Sequence, residues 1–304
     1  MPEQFCDVNG GITLCYETFG DPQDPAALLI MGLGTQMVAW QQDFCQKLAA
    51  RGLYVVRFDN RDIGRSTHLK GPAPSFAQLL RSSGEAARYT LADMAQDMVG
   101  LLDRLELASA HVIGASMGGM IAQTLAARHP VRVRSLVSIM SSTGGRWGGR
   151  PALRSYPIFL RQAPLEREAF IEHATRLFAR IGSRGMPQDV EGVREIAARS
   201  YDRELDRTGA GRQLAAIVAS GDRTAELKRI TAPTLVIHGS ADPLISPSGG
   251  RATARAIPGA KLTMIEGMGH DLPRVLWPRL IDALAAHAAA ADQSAEAQSP
   301  LQRA

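Results

Sequence analysis

Apolar residues in this chain fall into short unbroken runs separated by longer amphipathic stretches. Phe5–Val8 and Ile12–Phe19 flank Asn9-Gly10, a dipeptide suited to a tight hairpin turn, and predict an opening pair of strands. Ala26–Met31, Tyr54–Asp59, Ala110–Ala115, Val133–Met140, Thr234–His238 and Lys261–Ile265 read as further strands, most of them apolar on both faces as sheets covered by two layers require. Helical segments lie between them. These are Gln41–Ala50, a Thr90-capped stretch to Leu107, Met117–Arg128 closed by His129-Pro130, Pro247–Ile257 and Pro273–Ala290. In the second of these Leu91, Met94, Met98, Leu101, Leu102 and Leu105 form one apolar stripe. Buried strands alternating with amphipathic helices predict an α/β fold with a mostly parallel central sheet.

The alternation lapses once. Between Thr143 and Asp222 no buried-strand run occurs, and apolar residues recur at helical spacing instead. One set is Phe170, Ala174, Leu177, Phe178 and Ile181, a second is Val190, Val193, Ala197 and Tyr201, and Gln213–Ala219 offers a third helix. Such a stretch is too long for a loop. It predicts a helical insertion at 143–222 in a core formed by 1–142 and 223–291. The small, polar tail 292–304 is expected to be disordered.

Composition narrows the function classes. A chain of 304 residues, 45% hydrophobic and 21% charged, is an ordinary core-forming sequence. No apolar run approaches the roughly 18–20 residues that span a bilayer, and Met1–Phe5 lacks the start of an export signal. A cytoplasmic protein without membrane contact is expected. The net charge of +4 comes from scattered arginines with few aromatics between them, which argues against nucleic acid as a partner. Cys6, Cys15 and Cys45 show neither a CxxC nor a zinc-like spacing, and they are expected to be reduced.

The candidate chemistry centres on Gly114-Ala115-Ser116-Met117-Gly118-Gly119, placed between a strand and a helix. A Gly-x-Ser-x-Gly turn in that setting is a nucleophile elbow, which lifts a serine hydroxyl clear of the sheet at the positive end of a helix. A hydroxyl needs a base, and the base an acid to orient it. Asp242 follows the strand 234–238 and His270 follows the strand 261–265, in the chain order Ser, Asp, His that this sheet type requires. His238 lies inside its strand and reads as a core histidine, while His111, His129 and His287 read as structural or surface residues. Glu266 and Asp271 flank the base but follow no strand of their own. Oxyanion donors are expected at the backbone N–H of Met117 and of Leu33, within the Met31-Gly32-Leu33-Gly34 loop.

With these residues in place the chain resembles the α/β-hydrolase family over roughly residues 5–290. The resemblance identifies 143–222 with the helical cap inserted after the sixth strand. Asp59-Asn60-Arg61-Asp62-Ile63-Gly64-Arg65-Ser66 resembles the family's Asp-x-Arg-Gly-x-Gly-x-Ser loop, given a structural role, with Asp62 replacing its first glycine. Met31 stands where many relatives carry His, and Met-Gly there is similar to a subgroup that includes the anthracycline methylesterases. The resemblance implies a carboxylic-ester hydrolase that works through an acyl-enzyme, with no metal or organic cofactor and a small-molecule ester as its partner.

The substrate is expected between core and cap, beyond the strand C-termini. Gly32, Gly34, Met37, Trp40, Met120, Trp147, Tyr156 and Phe159 are candidates to line that pocket, core or cap packing being the alternative for the large side chains. A carbon–carbon bond hydrolase of ring-cleavage products or a cofactor-free perhydrolase would keep the same triad. A non-catalytic ligand receptor could use the same fold. The assembly is expected to be a monomer or homodimer.

Overall fold

The computed structural model describes residues 2–74, 78, 87–146, 148–150, 152, 163–206 and 208–298. Eight strands, β1 (Gln4–Asn9), β2 (Ile12–Phe19), β3 (Ala26–Ile30), β4 (Tyr54–Phe58), β5 (Ala110–Ala115), β6 (Val133–Ile139), β7 (Thr234–Gly239) and β8 (Lys261–Ile265), form one sheet in the order β1-β2-β4-β3-β5-β6-β7-β8. β1 and β2 form the predicted hairpin, β2 also runs antiparallel to β4, and every later pairing is parallel.

Successive strand residues point to opposite faces, and each face is covered by its own helical layer. Leu28, Ile30, Val56, Val112 and Leu136 pack against α2 (Leu91–Arg104) and α3 (Met117–Arg128). Ala27, Leu29, Val55, Ile113, Val137 and Ile237 pack against α1 (Gln42–Ala49) and the terminal helix. α2 begins at a capping box in which Thr90 and Asp93 exchange hydrogen bonds. It stops at Arg104, short of the expected Leu107, with Glu106 in the left-handed region at φ 56°.

Between β6 and β7 the described residues hold helices and no strand. α4 (Arg167–Ile181), α5 (Val190–Arg203) and α6 (Gly209–Ser220) fall on the three predicted sets, followed by a short α7 (Thr224–Leu227). α8 (Pro247–Ala256) joins β7 to β8, and α9 spans Trp277–Gln298. The expected disorder from residue 292 is therefore corrected as far as Gln298. Ala288 and Ala291 are buried, and Asp292 accepts a hydrogen bond from Arg134 Nε at 2.9 Å, which keeps the polar turn in register. Among the described residues no helix is long and apolar enough to cross a membrane.

Candidate active site

Ser116 occupies the turn between β5 and α3 with φ 56° and ψ −119°, a conformation few L-residues adopt. The turn survives because its neighbours are small. A Cβ on Gly118 would lie 2.1 Å from the carbonyl oxygen of Ile30, so only glycine lets α3 close onto the end of β3. The Ser116 N–H donates to Ile139 O at 2.9 Å, and Ser141 Oγ donates to Ser116 O at 2.8 Å, fixing the elbow from β6.

The loops after β7 and β8 bring the partners in. His270 Nε2 lies 3.0 Å from Ser116 Oγ, and His270 Nδ1 lies 2.8 Å from Asp242 Oδ2. The other oxygen of Asp242 accepts the N–H groups of Leu244 and Ile245 at 2.8 and 2.9 Å, so the carboxylate cannot swing away. A carboxylate only accepts, so Nδ1 carries its proton toward Asp242 and Nε2 is left to accept from the serine hydroxyl. The aspartate is buried and the imidazole nearly so. Glu266 is exposed, and Asp271 is held by Ser183 rather than by His270.

His238 is a core residue. It is fully buried, its Nε2 donates to Ile245 O at 2.9 Å, and burial pushes its pKa down. His111 is equally buried beside Ser135 and Asp292, and His287 reaches Pro233 O.

The amides around the elbow divide into spent and open ones. Gly34 N–H donates to Gln213 Oε1 at 2.9 Å and Thr35 N–H to Gly32 O at 3.3 Å. Among the described residues no protein acceptor takes the N–H of Leu33 or of Met117, the first residue of α3. Gly32 lies directly beside Ser116. The residue after the serine and the neighbour of Gly32 thus each keep an N–H without a protein acceptor.

Of the pocket candidates, Met37 and Trp40 are corrected. Met37 has no accessible surface and packs with Cys15 and Val38, its N–H donating to Asp59 Oδ1 at 2.7 Å. Trp40 is buried against Phe44 in the α1/α9 layer. The single helical turn Met37–Ala39 buries both Met37 and Val38. Met120 is buried in the α2/α3 layer. Trp147, Tyr156 and Phe159 lie outside the described residues.

Residues that the sequence reading passed over tie the helical segment between β6 and β7 to the 59–66 loop and its surroundings. Arg203 of α5 donates to Asp59 Oδ2 at 2.8 Å and to Glu3 Oε1 at 2.6 Å. Arg212 of α6 donates to Asp62 Oδ1 at 2.7 Å, with Asp206 Oδ2 at 3.2 Å. Asp62, His68 and Asp206 place ligand-type atoms within 4.8 Å of one another, but the Arg212 guanidinium already pairs with both carboxylates. Arg223, just beyond the insertion, sits buried against α3 and donates to Met120 O, Gln123 Oε1 and Ser142 O. Burial lowers its pKa to about 10.

A family model described as the alpha/beta hydrolase fold matches residues 25–273, and the chain belongs to that family. It is 30% identical to rhodomycin D methylesterase of Streptomyces peucetius, over 93% of this chain and 97% of that protein. It is 27% identical to 3-oxoadipate enol-lactonase 2 of Acinetobacter baylyi, over 84% of this chain and 85% of the relative. Among solved structures it resembles a hydrolase from Pseudomonas aeruginosa, with a TM-score of 0.68 and 26% identity over 95% of this chain and 97% of the other. The expected family and the expected methylesterase resemblance both stand.

Proposed function

We propose that this chain hydrolyses carboxylic esters through an acyl-enzyme on Ser116. The observation that carries the reading is the continuous relay from Ser116 Oγ to His270 Nε2 at 3.0 Å and from His270 Nδ1 to Asp242 Oδ2 at 2.8 Å. His270 takes the serine proton as Oγ attacks the ester carbonyl, and Asp242 stabilises the imidazolium that forms. The N–H groups of Leu33 and Met117 receive the oxyanion. His270 then returns the proton to the departing alkoxide, which leaves as the alcohol. A water deprotonated by the same imidazole attacks the acyl-enzyme, and collapse of the second tetrahedral intermediate releases the acid and frees Ser116.

Methyl esters are the proposed substrate class, because a relative that spans nearly the whole chain carries the name of a methylesterase. Residues 143–222 are read as the cap over this site. Among the described residues, the insertion's two arginines with buried side chains lend no support to the carbon–carbon hydrolase reading. Arg203 and Arg212 do point into the protein, but each is paired with a carboxylate of the 59–66 loop rather than left for a substrate.

The test compares wild type with Ser116→Ala on p-nitrophenyl acetate and follows methanol release from a panel of methyl esters. Loss of turnover by at least about 10³-fold in the variant supports the reading. Equal rates in the two proteins would overturn Ser116 as the nucleophile. A wild type that binds the methyl esters without releasing methanol would point to a receptor.

A further inference from the structure

The loop Met31-Gly32-Leu33-Gly34 supplies a proposed oxyanion donor yet has no polar side chain with which to anchor itself. An oxyanion donor works only if its N–H is held at about 2.7–3.1 Å from the developing charge before the reaction begins. The anchoring must come from outside the loop, and the hydrogen bonds show where. At its start Met31 O accepts from Asn60 Nδ2 at 3.0 Å. At its end Gly34 N–H donates to Gln213 Oε1 at 2.9 Å.

Gln213 has no accessible surface, and both ends of its amide are spent. Oε1 takes Gly34 N–H, while Nε2 donates to Arg61 O at 2.9 Å, one residue from Asn60. A buried amide with both bonds made has one orientation, so it transmits position rather than filling space. Its helix approaches closely: a Cβ on Gly209 would lie 1.8 Å from Asp62 O, and Ala210 Cβ lies 3.1 Å from where a Cβ on Gly34 would stand. α6 is thereby packed against both the 59–66 loop and the oxyanion loop, with Arg212 ion-paired to Asp62 beside it.

We propose that Gln213, a residue of the helical insertion, is a positioning residue for the oxyanion loop, holding Gly34 so that the Leu33 N–H keeps its aim on the reacting carbonyl. The proposal rests on the serine-hydrolase reading and adds that the insertion sets transition-state binding rather than only covering the substrate. Asn60 and Gln213 act as a pair, one fixing each end of the loop.

The experiment uses the full chain and counts active sites by titration with a fluorophosphonate. Gln213→Met removes both hydrogen bonds at similar volume. Ser220→Ala removes two hydrogen bonds from the same helix, the one Ser220 Oγ accepts from Leu91 N–H and the one it donates to Ala216 O, far from the loop in sequence. On p-nitrophenyl acetate Gln213→Met should lower kcat per active site about 10–100-fold with KM changed less than about twofold, as expected for a donor left loosely aimed. Affinity for an aryl trifluoromethyl ketone, which adds serine to give a tetrahedral oxyanion, should fall by the same factor. Ser220→Ala should leave the split between kcat and KM at its wild-type values.

Gln213→Asn is a milder change that covers the case in which the Met variant does not fold, and it should show the same split at smaller size. Unchanged kcat per active site and unchanged ketone affinity in the Gln213 variants would overturn the proposal while leaving the triad intact. If Ser116→Ala retains wild-type turnover, the underlying serine-hydrolase reading fails instead, and this proposal fails with it.

Discussion

The backbone N–H of His270 donates to the carbonyl oxygen of Ile181 at 2.7 Å, so the loop that carries the imidazole hangs from the last residue of α4. Ser183 completes the suspension. Its hydroxyl accepts from Gly269 N–H at 2.8 Å and donates to Asp271 Oδ1 at 2.5 Å, and burial raises the pKa of that carboxyl. Ser183→Ala leaves the buried Gly269 amide without its partner and takes the hydroxyl hydrogen bond from the half-buried Asp271 carboxyl, on either side of His270. It should cost about 1–3 kcal/mol in urea denaturation. It should also lower kcat on p-nitrophenyl acetate about tenfold, with KM little changed, because the imidazole loses its aim. Wild-type kcat in a folded Ser183→Ala protein would show that the Ile181 contact suffices alone.

Asp62 adopts φ 66° in a loop where the family pattern places glycine, and it forms a fully buried ion pair with Arg212. Asp62→Gly relieves the left-handed backbone but leaves Arg212 with a weaker partner, Asp206 at 3.2 Å. Removing one member of a buried pair costs about 3 kcal/mol, whereas removing both costs far less. Asp62→Gly and Arg212→Met should each destabilise by about that amount. The double variant should recover at least half of the summed loss in a double-mutant cycle by urea denaturation. Additive losses would mean that the two side chains act independently.

Much of this arrangement was readable because buried parallel strands have a simple signature. β5 at Ala110–Ala115 and β8 at Lys261–Ile265 have the same bounds in the sequence reading and in the structure. Ser116, Asp242 and His270 come together because each lies at the C-terminal end of a parallel strand, a placement that chain order alone reveals. Met37 and Trp40 were harder to read, because an apolar side chain after a loop can line a pocket or fill the core with the same residue type; burial in separate packing clusters assigns both to the core. Gln213 and Ser183 gave no signal, since a polar residue on or beside an amphipathic helix looks like its solvated side. Their partners Gly34 and Gly269 contribute only backbone amides, far away in the chain.

Glu3 makes part of the stability depend on acid pH. Burial alone would raise its pKa, but hydrogen bonds and charge from Arg203 and Arg65 bring it down to about 2 from an ordinary 4.5. A depressed pKa means that the folded state favours the ionised form. Its contribution is therefore full above about pH 4.5 and disappears as pH falls toward 2. Glu3→Gln should be less stable than wild type at pH 7 by on the order of 1 kcal/mol, after allowance for solvent screening. Thermal melts from pH 7 downward should show the two proteins converging below about pH 4.5. A gap that stays constant to pH 3 would assign the loss to packing rather than to charge.

The cysteines offer a way to separate serine from thiol chemistry. Burial pushes Cys15 and Cys45 up to about 12, and Cys6 up to about 11, and all three are free thiols. Thiolate is the reactive form, so at pH 8 all three present far less of it than an exposed cysteine does. Cys45 has no accessible surface and Cys15 is also buried. Iodoacetamide at pH 8 should therefore leave esterase turnover within about twofold of its starting value over an hour, with intact mass showing at most slow addition at Cys6. A fluorophosphonate should abolish turnover and add once, at Ser116. Rapid loss of activity to iodoacetamide would contradict the burial of these thiols. If the loss tracked modification of Cys15, it would place that residue in communication with the site through Asp59 and Arg203, which it borders.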